Sequence, residues 1–86
     1  MIYNSLYMSF LNNNVAENYQ DIDEILFGRA LNDKRKVLGI DLVTLELQTG
    51  ISVSTLKRLF RNPSQVKFSS VLLVAKTLGM PLCYAK

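Results

Sequence analysis

The sequence predicts an all-α fold, a small bundle of four to five helices that ends in a short C-terminal strand. Apolar residues recur every three or four positions through most of the chain, as they do on the buried face of a helix. Aspartate or serine precedes these stretches and glycine follows them, which is typical of helix ends. With 86 residues, 49% of them hydrophobic, the chain suffices for one domain with one core.

Residues 1–20 are predicted to be a tail whose role stays open. They carry one charged residue, Glu17, and a turn-like run of three asparagines at 12–14. Arms that wrap DNA are rich in lysine and arginine, and this segment has neither. We expect it to dock on the domain or to pair with another chain, with Tyr3, Tyr7 and Phe10 as packing residues.

The first helix is predicted to begin after Asp21, with Asp21 as N-cap and Glu24 completing a capping-box pattern. Its last turn is basic, as the helix dipole prefers, and Gly39 is expected to end it. The apolar stripe of this helix is predicted to consist of Ile22, Ile25, Leu26, Leu31 and Leu38.

Three further helices are predicted, and with the first they form a domain over residues 21–79. The second covers 42–49 between Asp41 and Gly50. The third covers 53–61, from Ser52 to Asn62, because Pro63 disfavours helical geometry in the residue before it. The fourth covers 68–78 and is expected to bury Phe68, Val71, Leu72, Ala75 and Leu78. Residues 80–86 are predicted to include a strand, since apolar residues alternate there.

Charge and composition narrow the classes of function. All ten basic residues lie in 28–86, against three acidic ones, whereas 1–27 holds four acids and no base. A basic half of this kind attracts polyanions, and nucleic acid is the first candidate. With no histidine and one cysteine, Cys83, we expect no metal or cofactor site, no disulfide and no enzyme. A soluble, cytoplasmic and nucleoid-associated protein is expected.

The second and third helices form a compact pair. Gly50 stands where a tight inter-helix turn needs a positive φ, and Ile51 is expected to fill the corner. Leu45, Leu56 and Leu59 are spaced to face one another across the pair. Small polar residues at the start of the third helix and cations further along suit a helix end that enters the major groove. The residues expected to point outward are Val53, Ser54, Thr55, Lys57, Arg58 and Arg61.

The stretch "GIDLVTLELQTGISVSTLKRLFRNPS" resembles the helix-turn-helix of the Cro/CI-type or XRE family of DNA-binding proteins. The resemblance runs from residue 27 to 78 and implies a lambda-repressor-like domain. It also implies a repressor that binds a pseudo-palindromic double-stranded DNA operator as a dimer. Three positions depart from the family pattern. Glu46 replaces a small residue and must tilt out or find a partner such as Arg35, Leu42 replaces a phosphate-holding glutamine, and Lys34 falls where an apolar residue is common.

Matching positions imply individual roles. Val53, Ser54, Thr55 and Arg58 are expected to read base edges, through a thymine methyl, hydroxyl hydrogen bonds and a bidentate contact to guanine. A plainer alternative is that the hydroxyls satisfy the helix's own N–H groups and that the cations are merely solvated. The residues expected to hold phosphates are Ser52, Lys57, Arg61, Asn62 and Lys67.

The C-terminal part, "NPSQVKFSSVLLVAKTLGMPLCYAK", resembles the ending of HipB-type antitoxins. The resemblance implies a homodimer in which Met80, Leu82, Cys83 and Tyr84 belong to a strand shared between protomers. It further implies an antitoxin that represses its own promoter and binds a HipA-like kinase toxin. Two alternative functions remain: a phage-type Cro or repressor without a toxin, and a protein-interaction module with an acidic partner. For the strand, the alternative is that it only covers the monomer's own core.

Overall fold

The computed structural model describes residues 21–86, which form four α-helices and one short 3₁₀ helix. α1 packs against α3 and the 3₁₀ helix, while α2 packs against α3 and α4. The predicted all-α bundle with a helix-turn-helix is thereby confirmed, and the predicted tail, residues 1–20, lies outside the described residues. The helices are α1 (Glu24–Val37), α2 (Leu42–Thr49), α3 (Val53–Arg61), the 3₁₀ helix (Pro63–Gln65) and α4 (Phe68–Thr77).

Polar side chains cap the first three helices. Asp41 accepts from the Thr44 N–H at 2.7 Å and Ser52 from the Thr55 N–H at 3.2 Å, both as the sequence predicts. The prediction for α1 is wrong by two residues, because its N-cap is Asp23 and not Asp21. Asp23 has an extended backbone and accepts from the Leu26 N–H at 3.0 Å, so the helix begins at Glu24 and no capping box pairs Asp21 with Glu24.

The Asp41 cap gives the fold an acid dependence. The Thr44 backbone N–H, then its hydroxyl and more weakly Arg35, hold the pKa of Asp41 below its ordinary 3.8. A lowered pKa in the folded chain means that the carboxylate contributes stability above the unfolded pKa, and that this contribution is lost as the pH falls through the folded one. We expect Asp41→Asn to be less stable than the parent at pH 7 and the difference to vanish in acid, measured by urea unfolding at several pH values. A difference that does not change with pH would contradict this role of the carboxylate.

The ends of the helices follow from glycine and proline. Gly50 has a φ of +76°, a conformation that costs glycine little, and its N–H donates to the Glu46 carbonyl at 2.7 Å. Asn62 is extended, with φ −158° and ψ 101°, as expected for the residue before Pro63. The predicted bounds of α2 and α3 are therefore confirmed.

One core lies between the helices. The predicted contact set of Leu45, Leu56 and Leu59 is fully buried, and the partly buried Ile51 packs against it. Complete burial of a leucine side chain contributes about 1.5–3 kcal/mol, so these three residues hold α2 against α3. The complete set of buried apolar residues is Leu31, Leu45, Leu56, Leu59, Phe60, Val71, Val74, Ala75 and Leu78.

The predicted apolar stripes of α1 and α4 are only partly correct. Phe68 is 68% exposed because it lies in the open first turn of α4, beside the exposed Lys67 and Ser69. Leu72 is also exposed, since it lies about 100° around the helix from the buried Val71. Val74 is buried, although it was not among the residues predicted to be buried in this helix. In α1, Leu31 is the one predicted stripe residue that is buried, and the exposed ones are Ile22, Ile25, Leu26 and Leu38.

The C-terminal segment, residues 80–86, forms no strand within the described part of the chain. The Met80 N–H donates to the Ala75 carbonyl at 2.8 Å and so completes the end of α4. Met80 and Leu82 pack against the core, whereas Cys83 and Tyr84 are exposed. A strand needs a neighbour for its hydrogen bonds, and no described segment supplies one, so pairing with a second protomer stays a prediction.

No helix in residues 21–86 has the length and apolar character needed to cross a membrane.

Candidate nucleic-acid interface

The turn between α2 and α3 is braced by Thr49, a role that the sequence analysis did not identify. The Thr49 hydroxyl donates to the Leu45 carbonyl at 2.8 Å and accepts from the Ile51 N–H at 3.2 Å. Together with the left-handed Gly50, these bonds fix the path of the three residues that join the helices. A threonine directly before a turn glycine could have predicted this role, because its hydroxyl reaches nearby backbone groups.

α3 has two chemically different faces. Leu56, Leu59 and Phe60 are buried against the bundle. The remaining positions turn outward, and three of them carry cations, while no acidic residue occurs after Glu46 in the whole sequence. All predicted base-reading and phosphate-binding residues of α3 thus lie off the buried face. The exposed ones are Ser54, Lys57, Arg58 and Arg61, and the partly buried ones are Val53 and Thr55.

The hydroxyl groups at the start of α3 form a small network. Ser52 Oγ accepts from the Thr55 N–H, donates to Thr55 Oγ1 at 3.0 Å and lies 3.3 Å from Ser54 Oγ. The predicted cap, Ser52, is thus the residue that accepts from a backbone N–H, whereas no backbone N–H of residues 21–86 donates to the Ser54 or Thr55 hydroxyl, for which the plainer role was considered. The Thr55 hydroxyl still has its own hydrogen to donate, and Ser54 faces solvent.

Two predicted phosphate ligands lie beyond α3. Asn62 caps the 3₁₀ helix, because its Oδ1 accepts from the Ser64 N–H at 3.1 Å and from the Ser64 hydroxyl at 2.7 Å. Its amide NH₂ group keeps its donors for another partner. Lys67 stands at the exposed N-cap of α4 and makes no side-chain cap bond. Both residues are thus at helix boundaries.

Three cationic side chains line a shallow recess between α1, α2 and α3. Lys57 and Arg61 reach it from α3, and Arg35 reaches it from α1. Lys57 and Arg61, each predicted from the sequence to hold a phosphate, lie around one opening with no acidic residue in its lining. The full lining is Asn32, Arg35, Leu42, Lys57, Phe60 and Arg61.

Arg35 holds three parts of the fold together. Its Nε and Nη2 donate to Asn32 Oδ1 at 3.0 and 2.8 Å, and its Nη1 donates to the Ile40 carbonyl at 2.8 Å. The guanidinium carbon also lies 5.6 Å from the centre of the Phe60 ring, within range of a cation–π interaction. The ion pair with Glu46 considered from the sequence is not formed, and Glu46 is partly exposed.

Gly28 marks the closest approach of α1 to the end of α3. A Cβ at this position would lie 2.6 Å from the Phe60 carbonyl oxygen and 2.9 Å from Pro63 Cδ. Neither distance is tolerated, so only glycine lets the two backbones approach this closely. The sequence showed a glycine within a helix but not what it faces.

In residues 21–86, histidine, cysteine, aspartate and glutamate form no group of three or more that is placed to hold a metal ion.

Comparison with known proteins agrees with this architecture. No family model matches the chain. Over 57 residues it is 68% identical to a Haemophilus influenzae protein named "Uncharacterized HTH-type transcriptional regulator". The match covers 66% of this chain and 56% of that protein, so the chain spans little more than half the length of this relative. The chain is thus similar to a helix-turn-helix regulator, and it contains a helix-turn-helix of its own.

Proposed function

We propose that this chain is a sequence-specific DNA-binding transcriptional repressor whose α3 enters the major groove. The observation that carries the proposal is the division of α3, which buries three apolar side chains and presents Lys57, Arg58 and Arg61 outward. A major groove about 12 Å wide admits one α-helix, and its floor and walls offer acceptors and phosphates to such a face. The name of the Haemophilus influenzae relative supports the same function.

The proposed contacts divide into base reading and phosphate binding. The first turn of α3 reads bases through the Val53 methyl groups and the Ser54 and Thr55 hydroxyls, and Arg58 reaches a guanine one turn later. Phosphates are held around this helix, and the basic recess seats one of them between Lys57 and Arg61. The remaining proposed phosphate ligands are Ser52, Asn62 and Lys67.

The proposed active form is a homodimer. Two-fold symmetry places two copies of α3 in successive major grooves about 34 Å apart, which matches a pseudo-palindromic operator. The partner contact is the segment Met80–Tyr84, whose backbone has no strand neighbour within the described part of one chain. The two strands pair edge to edge through their backbones, and the exposed Tyr84 is then covered across the two-fold axis.

We further propose that the chain is the HipB-like antitoxin of a toxin–antitoxin operon, which represses its own promoter and binds a HipA-like kinase toxin. This rests on the sequence resemblance of residues 62–86. Co-purification with the product of an adjacent kinase-like gene is the expected result. A neighbourhood of integrase or lysis genes, with no kinase-like gene, would favour a phage-type repressor.

Arg58→Ala tests the base-reading role. We expect it to weaken binding to the chain's own upstream promoter by about 1–3 kcal/mol and to relax discrimination against a scrambled duplex. The measurement is a fluorescence-anisotropy titration of both duplexes at two salt concentrations.

Lys57→Ala is the matched control, one residue away and also exposed. It is expected to weaken binding to both duplexes alike and to reduce the slope of log K against log salt by about one. If Arg58→Ala behaves as Lys57→Ala does, Arg58 holds a phosphate. If the parent itself shows weak, salt-labile binding to every duplex, α3 serves protein recognition and the repressor proposal is wrong.

A further inference from the structure

An apolar groove opens on the side of the domain where α1 begins. One wall is the first half of α1 with the residues just before it, and the other wall is the segment after α4. Its volume is about 610 Å³, within the range of about 300–1,000 Å³ typical of sites that enclose a ligand. The described lining is Asp21, Ile22, Asp23, Leu26, Phe27, Ala30, Gly79, Met80, Pro81, Leu82 and Cys83.

The groove leaves large side chains open to water. Ile22 is 67% exposed and Leu26 is 47% exposed, although both line it. Each exposed apolar side chain forgoes about 25 cal/mol per Å² that burial would return, so a covering segment is favoured. None of the described lining residues is basic, and the two acidic ones, Asp21 and Asp23, stand close together in sequence at one end.

We propose that this groove is occupied by the chain's own residues 1–11, which cover it within the same molecule. The segment reads "MIYNSLYMSFL" and holds eight large apolar or aromatic residues among eleven. No charged side chain occurs before Glu17, so the segment brings no charged side chain into the groove and meets no side-chain repulsion from Asp21 and Asp23.

Chain length permits this arrangement. Residues 12–20 link the segment to Asp21, which itself lines the groove, and nine residues span up to about 30 Å when extended. The three asparagines at 12–14 are typical of a turn, so the link is suited to a change of direction. The link therefore joins the described chain at the groove itself.

Covalent connection also favours this occupant over a second copy or a foreign partner. A segment tethered by a short link has an effective concentration in the millimolar range, far above that of a separate molecule in dilute solution. An intramolecular cover therefore forms at protein concentrations where a weak dimer contact of the same chemistry dissociates.

Cys83 supplies a native probe, because it is the sole cysteine of the sequence and lines the groove. In full-length Leu6→Cys, mild oxidation is expected to join the introduced thiol to Cys83 within one molecule, with a yield that does not depend on protein concentration. Peptide mapping and non-reducing gels identify the product. The control combines Leu6→Cys with Cys83→Ser and Val37→Cys, so that the second thiol lies at the end of α1 and not in the groove. Position 37 is about 16 Å along the helix from Leu26, which lines the groove, and little disulfide formation is expected there.

The reactivity of Cys83 in the otherwise unaltered chain gives an independent readout. If the open state is populated at about 10% or less, Cys83 reacts with iodoacetamide at least about tenfold more slowly than in the variant Leu6→Ser, Tyr7→Ser, Phe10→Ser. Equal rates in folded parent and variant overturn the proposal, as does equal disulfide yield at Cys83 and Val37→Cys. A disulfide between the introduced thiol of one chain and Cys83 of another, with a yield that grows with concentration, also overturns it, since the occupant is then a second copy. If the triple variant does not fold, the disulfide experiment on the full chain decides.

Discussion

Leu45→Ala is expected to lower the free energy of unfolding by about 2–5 kcal/mol. Leu45 has no exposed surface and lies where α2 meets the rest of the core, so truncation removes buried contacts and leaves a cavity. Since domains of this kind are stable by only about 5–15 kcal/mol, the loss takes a large share of the total. Urea unfolding followed by far-ultraviolet circular dichroism measures it.

Leu47→Ala provides the matched control in the same helix. The same substitution is made two residues later, but Leu47 is 81% exposed, and a change within about 0.5 kcal/mol is expected. Equal losses from the two variants would mean that α2 presents a different face to the core, and the description of the helix-turn-helix would have to change with it.

Gly28→Ala is expected to destabilise the fold, although helix propensity alone favours alanine here by about 0.5–1 kcal/mol. The added Cβ meets the Phe60 carbonyl oxygen, a backbone atom that moves only if the end of α3 moves. Overpacking of this kind costs about 1–3 kcal/mol, so the net change is a loss. Displacement of α3 should also weaken binding to promoter DNA in the proposed function. Both quantities are measurable on one preparation, by denaturation and by anisotropy titration.

Arg29→Ala serves as the control for Gly28→Ala. It lies one residue along α1 and is exposed, so little change in stability is expected. The sign of the Gly28→Ala effect is the informative result, since a gain in stability would show that α1 and α3 do not cross as closely as described.

Features set by short-range chemistry were predictable from the sequence. Asp41 and Ser52 precede their helices at the spacing at which a side-chain oxygen meets an N–H three residues on. Gly50 and Pro63 restrict their own backbones or that of a neighbour, which located the ends of α2 and α3. The choice between Asp21 and Asp23 was less well determined, because both stand near a helix start and pattern alone does not reveal which backbone is extended.

Features set by contacts between distant residues were not predictable. Whether Phe68 or Val74 is buried depends on where neighbouring helices end, and both fit an apolar helical period. The close contact at Gly28 involves Phe60, far away in the sequence. Four of the six residues expected to point outward from α3 are exposed and Val53 and Thr55 are partly buried, because burial of Leu56 and Leu59 fixes the rotation of a short helix. The recess was missed because it needs Arg35 from another helix.

The hydrogen bonds of Arg35 affect how a ligand would bind at the recess between α1, α2 and α3. One guanidinium contacts Asn32 of α1, the carbonyl of Ile40 and the ring of Phe60, so the fold already holds this side chain in place beside the recess. A side chain held in this way loses less conformational entropy on contact with a ligand than a free one does. Substitution of the exposed Lys57 or Arg61 therefore changes the charge of the recess without removing the side chain that connects its walls.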